Sequence, residues 1–101
     1  MDIKNLLAES KARFNHNSAK AYLAEKYQSK LIVAEQGGLL KANAETILLL
    51  HSFTSANLVL IDTFNSPVKV DRQQLLEKLQ QIYETTMEQW YTEWQLLESK
   101  R

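Results

Sequence analysis

The sequence predicts an α+β fold: a small antiparallel sheet from two hairpins, packed by helices, with a long amphipathic helix at the C-terminal end. Three observations predict it. Apolar residues recur at helical spacing near both ends of the chain. The apolar run Leu58 to Ile61 is followed by a Pro-containing turn and by the alternating Val68-Lys69-Val70. Gly37-Gly38 separates two further apolar stretches, Leu31 to Ala34 and Leu39 to Ala42. With 101 residues, the chain has the size of one domain, 1–101.

Taken in order, Ile3, Leu6, Leu7 and Phe14 predict a helix over 3–14, with Asp2 as its cap. Asn15-His16-Asn17-Ser18 reads as a break, and Ser18 caps a second helix. Ala19, Tyr22, Leu23, Lys26 and Tyr27 fall on one face of that helix, with the Lys26 stem able to lie along apolar surface. Over 31–42 two readings stand. Gly37-Gly38 is a two-residue hairpin signal of the kind that needs positive φ, and the β-branched Ile32-Val33 favours it. Tyr27, Leu31 and Ala34 also continue the helical period, which Gly37 could end at its C′ position.

Asn43 caps a short helix from Ala44 to Phe53, whose Ile47, Leu48, Leu49 and Leu50 make it apolar nearly all round and predict deep burial. Leu58-Val59-Leu60-Ile61 reads as a buried strand, Thr63 to Pro67 as the turn, and Val68 to Val70 as the returning strand. Asp71 opens the last helix with a capping box: its carboxylate accepts a first-turn N–H while Gln74 reaches back. Val70 and Leu75 form the matching hydrophobic staple. No Gly or Pro interrupts the helix before Arg101.

Thirty helical residues span about 45 Å, against a radius of gyration of about 13 Å for a compact chain of this size. Along this helix Leu76, Leu79, Tyr83, Met87, Trp90, Trp94 and Leu97 step by 3, 4, 4, 3, 4 and 3, close to a coiled-coil seam. Leu75, Ile82, Tyr91 and Leu96 widen the stripe, and Gln73, Gln81, Thr85, Glu88, Thr92, Gln95 and Ser99 make the solvated side. One reading packs the stripe on the chain's own sheet and N-terminal helices. The other brings the distal half to a second copy or another protein, since Trp, Tyr and Met are enriched at interface centres. The helix's length favours the second. Tyr83, Met87, Trp90, Tyr91, Trp94 and Leu97 are therefore the candidate interface, most simply of a homodimer and otherwise of a higher homo-oligomer.

Twelve Lys plus Arg balance twelve Asp plus Glu, which argues against a basic nucleic-acid binder and against an acidic DNA mimic. The balance is uneven along the chain. Residues 1–30 carry six cations and three carboxylates, and residues 71–101 carry four cations and six carboxylates. The two ends could attract each other within or between chains, or be two ordinary solvated faces. Lys11, Arg13, Lys20, Lys26 and Lys30 with Tyr22 and Tyr27 could hold nucleic acid, but the tyrosines belong to the apolar face.

The common chemistries are missing. Zero Cys removes disulfides, zinc-cysteine sites and thiol nucleophiles and fits a reducing compartment. No phosphate-binding Gly-rich loop occurs. His16 reads as a surface or capping side chain. His51 with Ser52 and Asp62 lacks any nucleophile-elbow context. Glu84 and Glu88 have metal-ligand spacing without an accompanying Glu-x-x-His. No catalytic residue, metal site or cofactor is therefore expected, and the chain is not read as an enzyme. The start, Met1-Asp2-Ile3-Lys4-Asn5, lacks the pattern of a secretory signal, and no apolar run approaches the ~20 residues of a membrane span, so a cytoplasmic location is expected.

The segment LVLIDTFNSPVKVDRQQLLEKL, with a D-x-x-x-x-P-V-x-V hairpin from Asp62 to Val70 running into a Leu-rich helix, resembles the C-terminal part of small accessory proteins of tailed bacteriophages. The resemblance covers under half the chain and transfers no active site. It implies a virion-assembly, chaperone-like or host-takeover protein that acts in the host cytoplasm by binding a host or viral protein. The function expected is thus non-enzymatic protein binding with self-association through the last helix. The alternative is a small-ligand or nucleotide-binding (sequestering) protein, with a pocket near Gly37-Gly38 or between subunits. Tyr22, Lys26 and Lys30 would there supply stacking and charge.

Overall fold

A computed structural model describes residues 3–99, with side chains described from His16 onward. The elements are α1 (Ile3–Lys30), β1 (Ile32–Glu35), β2 (Gly38–Lys41), α2 (Ala44–Ser52), β3 (Asn57–Ile61), β4 (Pro67–Asp71) and α3 (Arg72–Ser99). The α+β class and the long C-terminal helix agree with the sequence. The cap at Asp2, the final turn to Arg101 and the side chains of Ile3, Leu6, Leu7 and Phe14 lie outside the described residues.

The break expected at Asn15 to Ser18 is absent, and α1 is one helix of 28 residues. Asn and Ser lower helix propensity by well under 1 kcal/mol each, and no Gly or Pro is there to stop the chain. His16 within the expected break and Lys20 just after it both reach Glu98 of α3. His16 accordingly sits inside the helix, half-buried against Glu98, rather than on a free surface loop. The expected face also rotates: Leu23 and Tyr27 are buried, whereas Tyr22 is 68% exposed.

Residues 31–42 form the hairpin, pairing Ile32 with Lys41 through Glu35 with Gly38. The turn lies one residue earlier than Gly37-Gly38. Gln36 (φ 50°) and Gly37 (φ 86°) occupy it, the two positive-φ positions that a type I′ turn requires. Gly38 instead opens β2 where a Cβ would lie 2.8 Å from a Val68 methyl carbon. The second hairpin pairs Asn57 with Asp71 through Ile61 with Pro67. The hairpins remain two separate two-stranded sheets. They are joined at a corner, where Thr63 N–H donates to the Leu39 carbonyl (2.9 Å) and Leu39 N–H to the Asp62 carboxylate (3.3 Å).

The core gathers at this end of the molecule. Leu31, Leu40, Ala42, Leu50, Leu60, Val70, Leu75, Leu76 and Leu79 form one buried cluster, to which the staple pair Val70 and Leu75 both belong. Asn43 caps α2 as expected, its Oδ1 accepting Thr46 N–H at 2.9 Å. Two burial expectations fail. α2 buries only Leu50 and leaves Leu48 and Leu49 exposed, because among the described residues no element covers its outer side. β3 buries Leu60 but leaves Val59 and Ile61 63% and 64% exposed, as alternation requires of a sheet covered on one face. α2 also ends one residue short of Phe53, its C-cap.

Asp71 Oδ1 accepts Gln74 N–H (3.0 Å), completing half of the capping box. The other half is taken over by Gln36, whose side-chain oxygen accepts Asp71 N–H at 2.6 Å. Beyond the core, α1 and α3 run antiparallel, with His16 beside Glu98 and Tyr27 beside Trp90. This helical pair makes the molecule long, 66 × 25 × 20 Å, with a radius of gyration of 19.3 Å.

Candidate functional site

The α1–α3 seam is built on residues 86, 90, 93 and 97 of α3, whose spacing of 4, 3 and 4 puts them on one helix face. Thr86 is buried, and Trp90 stacks on Tyr27 with centroids 6.1 Å apart and planes 8° from parallel. Glu93 receives the Lys26 ammonium at 3.0 and 3.2 Å. Leu97 is half-buried on the same face. Neither Thr86 nor Glu93 belongs to the apolar seam read from the sequence, because a polar residue in an otherwise apolar stripe carries no periodic signal. The one clue to Glu93 was Lys26, a cation on an apolar face that needed a counter-ion.

The basic front and acidic back of the chain meet within this seam. Lys20 pairs with Glu98, His16 approaches the same carboxylate at 3.4 Å, and Lys26 pairs with Glu93. The Glu93 carboxyl is held below the usual range, first by the Tyr27 hydroxyl and then by Lys26. Glu98 is lowered by Lys20 and, less, by His16. Tyr27 is raised by its hydrogen bond to Glu93 and by burial, and Lys26 is raised by its bond to Glu93.

Of the ligand residues read from the sequence, Lys26 and Lys30 both lie over the Tyr27 ring, Lys26 at 5.2 Å from its centre. Tyr22 points to solvent, Lys26 is engaged by Glu93, and Lys30 lies 4.7 Å from the Tyr27 ring centre. A cleft of about 570 Å³ between α1, the first hairpin and α3 is lined by Glu25, Gln28, Lys41, Tyr83, Met87 and Trp90 among others, and by none of those three. His51, Ser52 and Asp62 each have other partners. His51 faces the Gln80 amide (2.9 Å), Ser52 donates to the Leu49 carbonyl, and Asp62 accepts Phe64, Ser66 and Leu39 N–H groups in the β3–β4 turn. Those backbone donors, Ser66 first, hold the Asp62 carboxyl below its ordinary value. Among the described residues no group of three His, Asp or Glu side chains could hold a metal ion, and no helix is long and apolar enough to cross a membrane.

Of the six interface residues, Trp90 and Leu97 share the face toward α1, and Tyr83 packs against the edge of the core. Of the remaining three, Tyr91 and Trp94 lie open on the adjoining face of α3, with Met87 half-buried beside them. Met87, Trp90, Tyr91 and Trp94 line an apolar depression of about 260 Å³. Tyr91 is 57% exposed, Trp94 is 39% exposed, and their rings stack at 6.1 Å. Trp94 is backed by Lys20, whose ammonium lies 6.0 Å from the ring centre. Tyr83 and Met87 carry the surface onward into the cleft at the first hairpin, making one strip along α3. The strip is what α1 leaves uncovered: α1 runs along one side of α3 and the aromatic face lies beside that contact.

No family model matches the chain, and comparison with curated proteins and with solved structures finds none similar.

Proposed function

We propose that this chain is a small, non-catalytic protein-binding module that self-associates through the outer face of α3. The open depression formed by Met87, Trp90, Tyr91 and Trp94 carries the reading. Rigid aromatic side chains beside a methionine, half in water, have the composition of an interface centre and not of an ordinary helix surface. Covering them removes apolar area from water at about 25 cal/mol per Å². The hairpin-to-helix resemblance gives such a module a setting, as a phage accessory or host-takeover protein working in the host cytoplasm.

Truncation is a poor test, since removing α3 beyond Glu88 also removes Trp90, Glu93 and Glu98, which hold α1. Point substitution on the open face is better. Sedimentation velocity of the intact chain across a concentration series should show association, and Tyr91→Ser should weaken it while leaving the helical circular dichroism unchanged. Equal association by the two chains overturns the reading.

A further inference from the structure

The open face of α3 has an order along its length. Glu84, Met87, Tyr91, Trp94 and Glu98 are spaced 3, 4, 3 and 4, the repeat that keeps one edge of a helix facing a partner helix. Its two ends differ in charge. At the end nearer the core, Glu84 is exposed and makes no ion pair among the described residues. At the other end, Lys20 reaches across from α1 to Glu98 and lies over the Trp94 ring, with a third of its side chain still exposed, and His16 stands beside it.

A second copy can meet this face in two directions. Parallel pairing sets Glu84 against Glu84 and Lys20 against Lys20. Antiparallel pairing about Tyr91 sets Met87 against the second copy's Trp94, and it brings Glu84 to the level of the second copy's Glu98, where Lys20 lies. The first arrangement gives Glu84 no cation, whereas the second sets it against the Lys20–Glu98 pair, whose ammonium then lies between the two carboxylates, one from each chain, and this favours the second direction.

We propose that two copies of this chain pair antiparallel along Glu84, Met87, Tyr91, Trp94 and Glu98, with Tyr91 at the two-fold axis and Glu84 of each copy against Lys20 of the other. The arrangement is isologous and closes, leaving no free copy of the face. It rests on the self-association reading above and adds to it a direction, a register and an ion pair.

The chain has no cysteine, so the register can be read with introduced thiols. Antiparallel pairing sets position 88 on one helix beside position 95 on the other, both on the solvated edge of the seam. Mixed Glu88→Cys and Gln95→Cys chains should oxidise to a disulfide-linked heterodimer, and Glu88→Cys alone should link poorly. Independently, Glu84→Lys should weaken the dimer at least about tenfold at low salt, and the difference from the intact chain should shrink as salt is added. Preferential linking of Glu88→Cys to itself overturns the antiparallel register and leaves self-association standing, as does an unchanged affinity for Glu84→Lys. A dimer with neither disulfide overturns the use of this face. An intact chain that stays monomeric overturns the self-association reading itself.

Discussion

Tyr27 and Trp90 stack with an offset, their centroids 6.1 Å apart and their planes within 8° of parallel. The contact gives Trp90 two roles: one side holds α1 to α3, and an edge lines the open aromatic depression. The Tyr27 hydroxyl continues the contact to Glu93, which also receives Lys26. Tyr27→Leu should unstack Trp90 and red-shift tryptophan emission, whereas Tyr27→Phe should keep the stack. The Tyr27 proton is held more tightly in the folded chain than in the unfolded one, so an alkaline absorbance titration should show one tyrosine ionising late. Loss of that late step in Glu93→Gln would tie it to this hydrogen bond.

The carboxylates of Asp62, Glu93 and Glu98 all bind their protons more weakly when folded. As the pH falls, the unfolded chain therefore takes up protons first, and folding loses ground. The contribution is full above the ordinary values of 3.8 for Asp and 4.5 for Glu, and it disappears as the pH passes through the lower folded values. Thermal unfolding followed from pH 7 down through the carboxylate range should show a falling Tm. Glu93→Gln should start less stable at neutral pH and show a shallower fall in acid.

Gly38 is required by space, not by its dihedral. A Cβ there would meet the side chain of Val68 at 2.8 Å and 3.3 Å, joining the first hairpin to the second. Gly38→Ala should cost about 1–3 kcal/mol through overpacking. Gly38→Ala with Val68→Ala should recover part of that loss, and denaturant titration of the four chains gives the coupling.

Leu79 is fully buried where α3 leaves the core. Leu79→Ala should cost about 2–5 kcal/mol, enough to remove much of the stability of a chain this size. The neighbouring exposed residue Lys78 supplies the control, since Lys78→Ala should change the denaturant midpoint little.

Gln36 shows where the sequence was legible and where it was not. Local signals were sound: the cap at Asn43, the Asp71 carboxylate on Gln74, both hairpins and the solvated edge of α3 all stand. The failures came from partners distant in the chain. Asp71 N–H goes to Gln36, 35 residues away, and not to Gln74, because the first hairpin brings an amide oxygen there. Glu93 entered the seam because Lys26 and Tyr27 receive it. The break at residues 15–18 closed where His16 and Lys20 reach Glu98 of α3, and Tyr22 turned outward because, among the described residues, α1 packs on α3 instead of on a sheet. Gln36→Ala leaves Asp71 N–H without its acceptor and should cost about 0.5–1.5 kcal/mol by denaturant titration.

Self-association, as proposed above, covers the face bearing Met87, Tyr91 and Trp94 with a second copy. Light-scattering mass of the intact chain, measured up to millimolar concentration beside Tyr91→Ser, tests it most directly. A second copy on this face gives a mass of at least twice 11.7 kDa for the intact chain, with Tyr91→Ser shifted toward 11.7 kDa at equal concentration. A mass of 11.7 kDa for the intact chain at every concentration would contradict it.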